Sequence, residues 1–309
     1  SPSSSPRGEP CLTRLVALLG PTAAGKTETS VRLAEHFQGE IFSVDSMQVY
    51  RRMNIGTAKP TMLERRGIPH HLIDVADPGE EFSVARFRRL GRELLAESTA
   101  PVVIVTGGSG LHFRALVDPL SFAPTDPELR SELEATESEA LVDELLHFDP
   151  SARTIVDLAN QRRVVRAVEI YRLTGETPSS RAGTAVAEDV RRYVPEVEFT
   201  AVGVDPGSAL EERVDLRLAR MRASGLIDEV RSLSPVMGRN ARNAVGYKEI
   251  LEALSGGVSF DEAFGKAASN TKKLARKQRT WFQRDPRIRW IPWIDDPDQR
   301  VRRILEAFD

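Results

Sequence analysis

LVALLGPTAAGKTETSVRLAEHF, Leu15–Phe37, is the stretch whose reading decides the fold. Leu15–Gly20 is a short apolar run that stops at a glycine, the pattern of a parallel strand buried on both faces. Beyond it, Val31, Leu33, Ala34 and Phe37 recur at helical spacing. Between strand and helix, Gly20, Pro21, Thr22, Ala23, Ala24, Gly25, Lys26 and Thr27 fit the pattern G-x-x-x-x-G-K-[ST]. The glycines let backbone N–H groups turn inward around a phosphate, and the helix N-terminus adds positive potential. Lys26 supplies a cation to phosphate oxygens, and the Thr27 hydroxyl is placed to help ligate Mg²⁺. The motif points to a polyphosphate and leaves the reaction type open.

Working outward, EIFSVDS supplies a second strand with a carboxylate at its end, and FSVARFRRLGRELLAES a helix with Ser83 as N-cap. Pro101–Gly110, PVVIVTGGSG, reads as a third buried strand followed by a glycine turn. Alternating strands and helices predict an α/β protein, a P-loop NTPase-like doubly wound parallel sheet. The alternation stops from about Asp126 to Tyr193, where only helical segments are legible, and strand character returns at Val197–Asp205. This predicts a helical insertion domain over residues 121–195, inside a core formed by 13–120 and 196–309. Residues 1–12, Pro/Ser-rich at their start, read as a disordered tail. ALEERVDLRLARMRASGLIDEVRSL predicts a long helix interrupted near Gly225, and IRWIPWI a final strand.

Charge is unevenly placed. Nine carboxylates and one arginine lie between Asp126 and Asp149, whereas arginines dominate from Arg153 to Arg192. From Lys272 to Arg289 there are eight Lys/Arg against one Asp. The net charge of −2 over 309 residues gives no global field for nucleic acid or membrane, so any such preference is local. The one cysteine, Cys11, excludes a disulfide framework and a Cys-based zinc finger and fits a reducing compartment. No apolar run is long enough for a membrane span.

In parallel α/β sheets ligands bind beyond the carboxyl ends of strands, so Asp45 is expected near the phosphate site. There it is either a general base for an acceptor or a turn-forming aspartate. Ser46 and Gln48 offer hydrogen bonds to a base edge. A P-loop kinase of a small nucleoside-like acceptor would use the same parts, so the residues alone leave both chemistries open. His70 and His71 lack a cysteine cluster or H-x-x-x-H spacing, so local hydrogen bonding is the expectation for them.

The chain resembles the tRNA dimethylallyltransferases, also called tRNA isopentenyltransferases. The matching stretches are GPTAAGKT, SVDSMQVYRRMNIGTAKP, GIPHHLIDV, FSVARF, VTGGSGLHF, RRVVRAVEIYRLTG, RVDLRLARM, NAVGYKEI and KLARKQRTWF, in family order from about Leu15 to Phe282. The chain departs from the pattern at His112, where the family has Tyr, at Ala159–Asn160, and in TKKLARKQ. A zinc-finger extension like that of eukaryotic members does not accompany these motifs, so the bacterial type is expected.

The resemblance implies transfer of a dimethylallyl group from dimethylallyl diphosphate to N6 of the adenosine 3′-adjacent to the anticodon, in tRNAs reading codons that begin with U. The loop would then grip a leaving diphosphate with Mg²⁺, and Asp45 would be the base. The family's catalytic arginine falls on Arg213 or Arg217, one helical turn apart, and the choice stays open. RNA contacts are implied at Asp45, Ser46, Met47, Gln48, Ser109, Arg130, Arg162, Arg163 and Arg166, and more weakly at Asn243–Lys248. The partner is the tRNA anticodon stem-loop, and a cytoplasmic monomer without membrane attachment is expected. Prenylation of free adenine nucleotides and non-catalytic RNA binding are further alternatives.

Overall fold

The structure, a computed structural model, describes residues 13–308; the tail and Cys11 lie outside the described residues. Six parallel strands form one sheet in the order β3-β2-β4-β1-β5-β6. They are β1 Arg14–Leu19, β2 Glu40–Ser43, β3 His70–His71, β4 Val102–Gly107, β5 Thr200–Val204 and β6 Ile288–Ile291. The expected doubly wound sheet is the one observed. β1 lies between β4 and β5, so successive residues of this strand are buried on opposite faces. Val16 and Leu18 face the core under the Lys26–Phe37 and Pro297–Phe308 helices, while Leu15, Ala17 and Leu19 join the larger core on the other face.

Among the elements not anticipated, two bear on the sheet and its core. β3 is the histidine pair itself, Ile41 pairing with His70 and Phe42 with His71. Two polar residues without alternation carry no strand signal; the neighbouring strand imposes the conformation. The Pro297–Phe308 helix was also unread, and its Ile304, Ala307 and Phe308 complete the smaller core. The long helix after β5 does break near Gly225, into Leu210–Ala223 and Leu226–Leu233, with Gly225 at φ 95°. Ser83 caps the Val84–Glu97 helix by accepting the Arg86 N–H.

The chain divides into two compact units. One holds the sheet, through Val117 and again from Val197; the other is Asp118–Glu196. The second unit packs the helices Pro127–Ala135, Ser138–Phe148 and Gln161–Thr174 around Leu133, Leu141, Leu145, Val164 and Val168. No strand occurs in it among the described residues. Glu169 sits fully buried at its centre. It accepts from Thr125 Oγ1 at 2.8 Å, from the Asp126 N–H at 3.1 Å, and from Arg130 and Arg166 at 2.6 Å each. Burial pushes this carboxyl up, but the four donors outweigh it and hold it down at about 2.

Candidate active site

The carboxyl ends of β1, β2 and β4 open into a cavity of about 870 Å³. Thr22 to Thr27, Asp45 to Gln48, Ser109, Arg213 and Arg217 line it. Gly20 and Pro21 begin the loop outside the lining. Lys26 opens the helix Lys26–Phe37, and its Nζ donates to Pro21 O at 2.6 Å. Burial, and then the Arg217 charge, push the Lys26 ammonium down to about 7 against the opposing pull of Asp45. Burial lowers Arg217 as well, Asp45 again opposing. Arg217 makes no hydrogen bond among the described residues. Arg213 is differently engaged: its Nε donates to Ala23 O at 2.8 Å, and its guanidinium lies 4.7 Å from the Trp293 ring centre.

Asp45 follows β2 and opens a tight turn. Its Oδ1 accepts the Met47 N–H at 2.8 Å and the Gln48 N–H at 3.2 Å. The same atom thus fixes the carboxylate, while the second oxygen accepts no hydrogen bond among the described residues. Gln48 is turned to internal work: its amide accepts from Ser43 Oγ at 2.9 Å and donates to Thr57 O at 3.2 Å. Ser109 Oγ lies 2.7 Å from His112 Nδ1. His112 is buried edge-on to Phe87, and burial pushes it down to about 4, so it is neutral at pH 7. His71 Nε2 meets Glu40 Oε2 at 2.8 Å.

Arg130, Arg162, Arg163 and Arg166 belong to the second unit. Arg130 and Arg166 grip Glu169, and Arg166 also donates to Ala123 O and Pro124 O at 2.7 and 2.9 Å. Arg162 and Arg163 are exposed.

Several residues that shape the cavity received no role from the sequence, although most lie in the stretches that carry the resemblance. Lys59, buried in GTAKP, donates to Tyr50 O, Asn54 Oδ1 and Asp74 Oδ1 at 2.7, 3.1 and 2.6 Å. Glu229 accepts the N–H groups of Asn54, Ile55 and Gly56 at 2.8 to 3.1 Å and the Tyr247 hydroxyl at 2.5 Å. Gln278 Oε1 accepts the Thr22 N–H at 2.8 Å, pinning the phosphate loop from the Phe260–Gln283 helix. On that helix Trp281 packs over Gly110, leaving no room for a Cβ there. None of these could be found without knowing which distant segments meet.

The basic run on that helix splits by face. Lys272, Arg276 and Arg279 pair with Asp215, Glu211 and Asp205 at 2.8, 2.9 and 2.5 Å. Lys273 and Lys277, one turn apart, are exposed without an ion pair among the described residues, and Lys277 borders the cavity.

The fold defines the chain as an α/β protein of the P-loop type with a carboxylate at the end of the neighbouring strand. The family model described as IPP transferase matches residues 48–285. The tRNA dimethylallyltransferase of Bifidobacterium longum (strain NCC 2705) is 42% identical over 290 residues, covering 90% of this chain and 86% of that protein. The protein of the same name from Streptomyces coelicolor is 43% identical over 292 residues, 90% of each. The crystal structure of a full-length tRNA isopentenylpyrophosphate transferase from Bacillus halodurans superposes with TM-score 0.69 at 37% identity, over 95% of this chain and 94% of that one. The chain belongs to the IPP transferase family.

Among the described residues no helix is long and apolar enough to cross a membrane.

Proposed function

We propose that this chain is a tRNA dimethylallyltransferase. It moves a dimethylallyl group from dimethylallyl diphosphate to N6 of the adenosine 3′-adjacent to the anticodon, in tRNAs reading codons that begin with U. The observation that carries the reading is the meeting of Lys26, Arg217 and Asp45 in one cavity, in a chain of this family. Burial lowers both cations, and the Arg217 charge lowers Lys26 further, beside a loop of backbone N–H groups, which is an environment awaiting an anion. The carboxylate alongside keeps one oxygen free.

In the reaction the allylic C1–O bond of the donor breaks and a C1–N6 bond forms. The electron pair leaves on the diphosphate, whose growing charge the loop N–H groups, Lys26 and Arg217 stabilise. Adenine N6 is a weak nucleophile, and its proton becomes acidic as it alkylates. Asp45 accepts that proton, its geometry fixed by Met47 and Gln48. Of the two arginines we assign the diphosphate contact to Arg217, because Arg213 is engaged with Ala23 O and Trp293.

The Thr27 hydroxyl is a hard oxygen donor bordering the same cavity, and with the oxygens of a bound diphosphate it would suit Mg²⁺. Bound there, Mg²⁺ would supply further charge neutralisation to the departing diphosphate. The target base leaves its stack to enter a cavity at this depth. Ser46, Met47 and Ser109 border it on the acceptor side, while Arg162, Arg163, Lys273 and Lys277 serve the RNA backbone. Arg130 and Arg166 we reassign to holding the second unit together, and Gln48 to holding the GTAKP turn. The reading includes action as a cytoplasmic monomer, supported by a cavity built within one chain.

A small-nucleoside kinase would not account for the family membership. Mass spectrometry of tRNA incubated with dimethylallyl diphosphate and Mg²⁺ tests the reading directly. One prenyl mass per tRNA at that adenosine is expected, with inorganic diphosphate released. Asp45→Asn is expected to lower turnover by about 10²–10⁴-fold and to leave RNA affinity unchanged. Labelled γ-phosphate on an acceptor, with no prenyl added, would overturn it.

A further inference from the structure

The residues beyond β6 fall outside the matched family region, yet they bear on the phosphate loop. Trp293, Arg300 and Arg213 converge on Gly25. A Cβ placed on that glycine would lie 3.3 Å from Arg213 Nη2, 3.4 Å from Arg300 Nη2 and 3.4 Å from Trp293 Cη2. Gly25 has φ 69°, a left-handed conformation that only glycine adopts at little cost.

The three side chains form a connected unit. Arg300 is 3% exposed. Its Nε donates to Thr29 Oγ1 at 3.0 Å, and its Nη1 donates to Ile294 O at 2.8 Å. Both guanidiniums lie over the Trp293 ring, Arg300 at 4.5 Å and Arg213 at 4.7 Å from its centre. Trp293 is held in turn by Asp295, which accepts its indole N–H at 2.6 Å.

The bonds made by this unit end on loop carbonyls. Arg213 holds Ala23 O at 2.8 Å. Thr29 Oγ1, which Arg300 orients, donates to Gly25 O at 3.0 Å. In a trans peptide the carbonyl of one residue and the N–H of the next point in opposite directions. Fixing Ala23 O therefore constrains the Ala24 N–H on the opposite edge of the same peptide, which donates to Pro21 O at 3.4 Å within the loop. Gly25 O, which also accepts the Thr29 N–H at 3.4 Å, is held by the Thr29 hydroxyl in the same way, and this constrains the Lys26 N–H on the opposite edge of that peptide. Inward N–H groups are what a phosphate loop binds with.

We infer that Arg300 and Trp293, through Arg213 and Thr29, are positioning residues that fix the Ala23–Ala24 and Gly25–Lys26 peptide planes of the loop in the conformation that receives the diphosphate. They touch neither substrate. The inference rests on the loop being a diphosphate site, which the proposed function also uses, but it does not require prenyl transfer. Their loss should therefore weaken diphosphate binding and leave RNA binding and the folded state in place.

The test is calorimetric titration of the full chain with inorganic pyrophosphate and Mg²⁺, for Arg300→Gln, Trp293→Leu and Trp293→Phe. Loss of one orienting hydrogen bond predicts about five-fold weaker pyrophosphate binding in Arg300→Gln. Trp293→Leu should weaken it by about three-fold, and Trp293→Phe, which keeps an aromatic face for both arginines, should restore most of that loss. KM for dimethylallyl diphosphate should rise in step while kcat and tRNA affinity hold. If Arg300→Gln does not fold, the two Trp293 variants decide alone. Wild-type pyrophosphate affinity in folded Arg300→Gln and Trp293→Leu would overturn the inference. Failure of the unmutated chain to bind pyrophosphate would instead overturn the phosphate-loop reading itself.

Discussion

Each unit of this protein buries charge, and the two do so in opposite ways. At the centre of the helical unit, Glu169 meets four donors, two of them arginines, and its neighbours close the network. In the sheet unit, burial lowers the hold of both Lys26 and Arg217 on their protons, and the Asp45 carboxylate only partly opposes it. A satisfied buried network fixes a fold, whereas surplus positive charge beside inward N–H groups selects an anion. Arginine count alone does not separate these cases; partners do.

The sharpest way to break this contrast is to remove one member from each cluster. Arg217→Gln should cut prenyl-transfer turnover by about 10²–10³-fold with little change in thermal stability. Glu169→Ala should instead leave two half-buried arginines without their carboxylate, destabilising the helical unit by about 1–3 kcal/mol while pyrophosphate affinity holds. Thermal unfolding and calorimetry on both variants distinguish the outcomes; a stable Glu169→Ala protein would show that the network is not structural. Acid should separate the clusters too. Glu169 has a folded pKa near 2, below its ordinary value, so its stabilisation is full above about 4.5 and is lost as pH falls toward 2.

Lys26 gives the next effect. With the ammonium at about 7, the lysine loses its charge as pH rises through neutrality. An arriving diphosphate favours the protonated form, so binding should take up about one proton at pH 8 and almost none at pH 6. Affinity should fall as pH climbs above 7. For folding, stability rises with pH as it does for Glu169, but the contribution is a cost: a lysine whose folded pKa lies below its ordinary value destabilises at low pH, and that cost fades between 7 and 10.5. Titrations in buffers of different ionisation enthalpy measure the uptake, and none at pH 8 would refute the charge surplus. Arg217→Gln should raise the Lys26 pKa and shift the uptake to higher pH.

The smallest effect divides a single helix. Lys273→Ala with Lys277→Ala should lower the slope of log affinity for tRNA against log salt by about 2. Lys272→Ala with Arg276→Ala, which removes charges already paired to Asp215 and Glu211, should leave that slope unchanged. Equal slopes for both pairs would remove the RNA role of the exposed face.

Much of the architecture was legible because its signals are local. Apolar runs ending in glycine mark β1 and β4, and Ser83 and Gly225 mark helix ends where side-chain capping and positive φ act on adjacent residues. β3 was not legible, because two histidines become a strand only when β2 offers them a ladder. The choice between Arg213 and Arg217 could not be read either: both share one helix face, and what separates them is Trp293 and Ala23 O, far away along the chain.

By itself, then, the sequence determined the phosphate loop, the strand-end carboxylate and the alternation that builds a parallel sheet, since each follows from neighbouring residues and backbone preference. Tertiary structure alone decided which charges are compensated. Whether an arginine is compensated depends on what the fold brings within hydrogen-bond reach. Here that meant Glu169 for Arg130 and Arg166, the C-terminal tryptophan for Arg213, and an open cavity for Arg217.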